Sequence, residues 1–120
     1  MSQPFILYIE DERPVIELIR QALRLVGLEV VGLTSGQKGL EMMRERRPDL
    51  LLLDLMMPEV SGWDVYREMK ADERLADIPV IVVTAKVPKH GNIIIEELPP
   101  VEYYITKPFD VENIIRIVQS

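Results

Sequence analysis

The sequence predicts an α/β fold: a doubly wound, five-stranded parallel sheet with helices on both faces. Three observations carry that prediction. Five short runs rich in branched apolar residues recur along the chain, and segments with the 3.6-residue period of a helix separate them. Two of the runs, Leu50–Leu53 and residues 80–83, are apolar without alternation, as strands covered on both faces must be.

The first strand is expected at residues 5–9, an apolar run with carboxylates directly after it. Val15, Leu18, Ile19, Ala22 and Val26 then follow a helical stripe; Pro14 suits its first turn and Gly27 its end. A second strand at 29–33 leads to a helix over 36–46, begun by Thr34 and Gln37 as a capping box. Strand Leu50–Leu53 leads to a helix over 62–70, begun by Ser61 and Asp64. After the fourth strand at 80–83, Pro88, Gly91, Pro99 and Pro100 leave room only for a short or irregular fourth helix over 92–98. A fifth strand at 103–105 precedes the last helix, capped by Asp110 with Val111, Ile114, Ile115 and Val118 as its buried stripe.

A chain of 120 residues has the common size of one domain, so residues 1–120 are read as a single unit. The net charge of -6 sets its field against nucleic acid and anionic membrane. The absence of cysteine removes disulfides, thiolate metal sites and cysteine nucleophiles. No apolar run approaches the roughly 20 residues of a membrane-spanning helix, and the N-terminus lacks the basic flank of a signal peptide. A cytoplasmic location is the expectation.

In such a sheet the residues at the strand ends converge on one edge: Glu10 and Asp11 after the first strand, Asp54 after the third, Thr84 after the fourth and Lys107 after the fifth. Three carboxylates packed there would repel one another, each pair by about 4 kcal/mol at 4 Å and an effective dielectric of 20. A bound cation relieves this. Oxygen ligands without histidine or cysteine select a hard ion, and Mg2+ suits a shallow site that keeps waters and shares an anionic substrate. A carboxylate beside that ion can attack phosphorus while the metal and a lysine neutralise the transferring oxygens. Asp54, central to the sheet, is the natural acceptor.

Four segments then carry a family resemblance: ILYIEDE at 6–12, DLLLLDLMMPEVSG at 49–62, VIVVTA at 80–85 and YITKPF at 104–109. Together, in order and across nearly the whole chain, they resemble the receiver domains of response regulators, the phosphoacceptor modules of two-component systems and phosphorelays, with a flavodoxin-like, chemotaxis-regulator-like fold. The resemblance implies that Asp54 takes a phosphoryl group from the phosphohistidine of a sensor histidine kinase or a phosphotransfer protein. It implies that Asp11, Asp54 and the Met56 carbonyl ligate Mg2+, with Glu10 holding it through water. Thr84 and Lys107 would bind phosphoryl oxygens, and Tyr104 would turn inward as the aromatic switch. Output would pass through the face of the fourth helix, fifth strand and fifth helix, to a second copy or an effector domain. Such a domain is no enzyme beyond slow self-dephosphorylation.

Two features depart from the family pattern. Glu10 replaces the more usual aspartate, and residues 86–103 carry Ile93, Ile94 and Ile95 followed by Pro99 and Pro100. Three consecutive isoleucines in a short helix cannot all face the sheet, which leaves one for an apolar contact patch on the output face. The rival reading is a receiver-like interaction module that works without phosphorylation. A phosphoester hydrolase would need an acid two residues after its nucleophile, where Met56 stands. Taken singly, each site residue has a bland reading: an exposed turn for Glu10 and Asp11, a cap for Asp54, a surface lysine, a strand threonine, a core tyrosine. His90 reads as a loop residue, and Trp63, Met42 and Met43 as packing.

Overall fold

The computed structural model describes residues 5–55, 62–84, 103–106 and 111–119. Strands β1 (Ile6–Ile9), β2 (Val30–Leu33), β3 (Leu50–Leu53), β4 (Val80–Thr84) and β5 (Tyr103–Thr106) form one parallel sheet in the order β2-β1-β3-β4-β5. Helices α1 (Arg13–Arg24), α2 (Gly36–Glu45), α3 (Gly62–Ala71) and α4 (Val111–Gln119) accompany it. The short helix expected over 92–98, with Ile93, Ile94 and Ile95, lies outside the described residues, as do the caps expected of Ser61 and Asp110.

Period-two alternation divides the core. Leu7, Ile9, Leu51, Leu53, Val80 and Val82 point to one face, where Leu40 and Met43 of α2 and Val65, Tyr66 and Met69 of α3 cover them; Trp63 and Met42 pack at the margin. Ile6, Tyr8, Leu52, Ile81, Val83 and Ile105 point to the other, under Ile16, Ile19 and Leu23 of α1 and Ile114 of α4. Helices therefore lie on both faces, and the unbroken apolar strands are buried accordingly.

The apolar stripe of α1 differs from the expected one. Ile16, Ile19, Ala22 and Leu23 are buried, whereas Leu18 and Val26 are 51% and 38% exposed. This helix has enough apolar residues for two stripes, and β2 selects between them. A Cβ at Gly32 would sit 2.1 Å from Ile16 Cγ2, so the methyl of Ile16 occupies the space that the missing side chain leaves. Pro14 does stand in the first turn, and Gly27 ends the helix with φ 83°. Gly27 N–H donates to Arg24 and Leu28 N–H to Leu23, the Schellman arrangement that satisfies the last carbonyls.

The expected capping box of α2 is also corrected. Ser35 is the cap, accepting from the Lys38 N–H, while Gln37 reaches forward to Glu41. A hydroxyl one residue nearer the helix wins because its backbone is extended there while its oxygen overhangs the free N–H groups. Asp64 pairs with Arg67 one turn on, at 2.6 Å.

The turn between α3 and β4 is closed by charge. Asp72 accepts from the Arg74 guanidinium and backbone N–H, with Arg44 at 3.5 Å, while Arg47 bonds Asp77 and the Arg74 carbonyl. The Arg74 side chain, then its backbone N–H, hold the Asp72 carboxyl at about 2, against an ordinary 3.8. A depressed carboxyl pKa contributes stability that is present in full above 3.8 and lost as pH falls through about 2. Asp72→Asn should therefore lower the melting temperature slightly at neutral pH, since water screens the pair, and the gap to wild type should close across that acid window. A gap unchanged by acid would refute the assignment.

Candidate functional site

β1 is where the strand order reverses: β2 follows on one side and β3 lies on the other. Crossovers leave in opposite directions there and open a crevice at the carboxyl ends of β1 and β3. The last paired residues are Ile9 and Leu53. One step beyond, Glu10 N–H donates to the Leu33 carbonyl at 3.0 Å, and Asp54 N–H to the Ile9 carbonyl at 3.1 Å. These bonds extend the ladder and hold Glu10 and Asp54 by their backbones at the edge of the crevice.

Both residues are buried, Glu10 at 0% and Asp54 at 2% exposure, and they are the buried charged residues among those described. Buried carboxylates of this kind carry a large desolvation cost, which favours a function over a packing role. Glu10, Asp11 and Glu12 each offer a carboxylate oxygen, and these lie within 4.8 Å of one another. Glu12 is not among the expected ligands. It precedes α1 with extended backbone and no side-chain cap bond, so its carboxylate turns toward the other two rather than onto the helix. An all-oxygen donor set of this density fits a hard divalent cation.

The far wall of the crevice is the start of α3. Gly62 N–H donates to the Leu55 carbonyl at 3.2 Å, and a Cβ at Gly62 would fall 2.2 Å from the Asp54 carbonyl oxygen. The helix thus abuts the backbone that carries Asp54. Beneath the carboxylates, burial pushes the pKa of the Tyr8 hydroxyl far up, and the charges of Glu10 and Asp54 push it further.

Thr84 ends β4, and Tyr104 pairs with Val82 in β5. Their side chains, and Met56 and Lys107 altogether, lie outside the described residues, as does His90. A surface groove of about 650 Å³ lies at the amino-terminal end of β2, away from the carboxylates. Among the described residues no helix is long and apolar enough to cross a membrane.

A family model, the response regulator receiver domain, matches residues 6–119. The polar-differentiation response regulator DivK of Brucella ovis is 37% identical over 115 residues, which cover 96% of this chain and 93% of DivK. The phosphate regulon transcriptional regulatory protein PhoB of Pseudomonas aeruginosa is 38% identical over 92% of this chain; the chain spans 48% of PhoB. The receiver domain of a sensor histidine kinase from Pseudomonas aeruginosa, solved with magnesium coordinated in its active-site cleft, superposes with a TM-score of 0.83. That domain is 27% identical, with 98% of this chain and 96% of its own covered.

Proposed function

The chain belongs to the response regulator receiver domain family, and on that premise we propose that Asp54 is its phosphoacceptor, served by Mg2+ in the pocket of Glu10, Asp11 and Asp54. The observation that carries this reading is the burial of Asp54 beside Glu10 at the switch point, with the acidic triplet at its rim. In the reaction, an Asp54 carboxylate oxygen forms a bond to phosphorus as the bond to the donor's histidine nitrogen breaks and its electron pair returns to the imidazole. Mg2+ supplies charge neutralisation to the carboxylates and to the transferring oxygens. Asp11 and Asp54, with Glu10 through water, would hold the cation, Glu12 would add negative potential at the mouth, and the Met56 carbonyl would complete the protein ligands.

Phosphorylation adds about -1.5 to -2 charges, which Thr84 and Lys107 meet by moving toward the new oxygens, with Tyr104 following as the switch. The partner in this reading is a sensor histidine kinase or a phosphotransfer protein. The output is a second copy or an effector, reached through β5, α4 and the segment before them. The domain, residues 1–120 as one unit, acts in the cytoplasm without direct contact to nucleic acid.

The test is incubation with Mg2+ and a small phosphodonor such as acetyl phosphate, read by intact mass. A single phosphoryl gain is expected, and removal of the metal with a chelator should lower its rate at least about a hundredfold, as loss of a charge-neutralising group does. No gain with Mg2+ present would favour the constitutive interaction module.

A further inference from the structure

Tyr8 is the buried polar group that this chemistry leaves unused. Its side chain is 0% exposed, within the cluster under α1 and α4, and its hydroxyl has no hydrogen-bond partner among the described residues. A phenylalanine would fill the same space without burying an unsatisfied hydroxyl. Strand parity puts Tyr8 on the same face of the sheet as Glu10, two residues on, and the register sets it opposite Leu52, two residues before Asp54. A tyrosine hydroxyl carries its proton at neutral pH and is a donor.

We infer that Tyr8 is a positioning residue for the acidic pocket: its hydroxyl donates, through one buried water, to the Glu10 carboxylate and holds that carboxylate toward the cation. One water with its two to four bonds spans about 5–6 Å between polar atoms, and the shared face brings the two side chains to the same end of the strand. Such support from beneath fixes the rotamer of a longer acid at this position. The inference rests on the reading of the pocket as a Mg2+ site.

Mg2+ titrations of wild type, Tyr8→Phe, Glu10→Gln and the double variant test it. They are followed by calorimetry and by the fluorescence of Trp63, the single tryptophan, which adjoins Gly62 at the Asp54 backbone. Tyr8→Phe should weaken Mg2+ binding about tenfold, as loss of an outer-shell partner does. Its melting temperature without Mg2+ should stay level or rise, and the second substitution should add nothing in the Glu10→Gln background. An unchanged Mg2+ affinity in Tyr8→Phe overturns the inference alone. So does an equal loss in both backgrounds, which would mean that the hydroxyl acts through packing. A wild type that binds no Mg2+ overturns the metal reading and this inference with it.

Discussion

Asp54→Asn is expected to abolish phosphoryl gain while raising the melting temperature in the absence of Mg2+. Asparagine keeps the volume of aspartate at a position 2% exposed, so packing at the end of β3 persists. What disappears is the anionic oxygen able to attack phosphorus, and the loss should be complete by intact mass. Stability should move the other way. Asp54 and Glu10 are buried neighbours past the Ile9 and Leu53 pair. Two carboxylates 4–8 Å apart repel by on the order of 2–4 kcal/mol at an effective dielectric of 20. Removing one charge relieves that repulsion, as a bound Mg2+ would in wild type. Mg2+ should therefore raise the melting temperature of wild type more than that of the variant. Phosphoryl gain retained by Asp54→Asn would move the acceptor elsewhere, and a fall in its metal-free melting temperature would contradict the repulsion.

How much of the fold and the site is legible in the sequence depends on how local each signal is. Strands such as Leu50–Leu53 have no reading but burial on both faces, and their order along the chain sets the sheet type. Asp54 and the Glu10 and Asp11 pair are legible because a charge next to such a strand has to emerge at its end. Face selection on α1 is not, since Leu18 and Ile16 satisfy the helical period equally and Gly32, sixteen residues beyond Ile16, decides between them. The Ser35 cap turns on a one-residue choice between hydroxyls, below what pattern resolves. Glu12 sits in plain view beside Asp11, but its direction depends on the backbone that leads into α1. Tyr8 is hidden in an apolar run, although its parity with Glu10 can be counted. The roles of Met56, Thr84, Tyr104 and Lys107 rest on motif likeness. For Gly62, the informative contact is with the Asp54 backbone, which no composition rule anticipates.

That contact makes Gly62→Ala the substitution with the largest expected structural cost. In the interior of a helix, alanine is favoured over glycine by about 1 kcal/mol. Gly62, however, opens α3, where little of that gain applies, and the added Cβ would lie 2.2 Å from the Asp54 carbonyl oxygen, 2.7 Å from Leu55 Cα and 2.9 Å from the Asp54 carbonyl carbon. All three are backbone atoms of the β3 end, so no rotamer change relieves them. Either α3 backs away from the sheet, loosening Val65 and Tyr66 in the core, or Asp54 shifts from its place beside Glu10. Overpacking of this kind costs about 1–3 kcal/mol, and an obstructing backbone puts the cost at the upper end. Gly39→Ala is the control. Its Cβ meets only side-chain atoms of Ile9, at 2.3 Å from Cδ1 and 2.9 Å from Cγ1, so the fully buried Ile9 must repack at a cost, while the α2 interior gains helix propensity. Gly62→Ala should thus lower the melting temperature markedly more than Gly39→Ala and slow phosphorylation of whatever fraction stays folded. Equal melting temperatures for the two variants would show that the β3 end yields freely, and that α3 does not hold Asp54 in place.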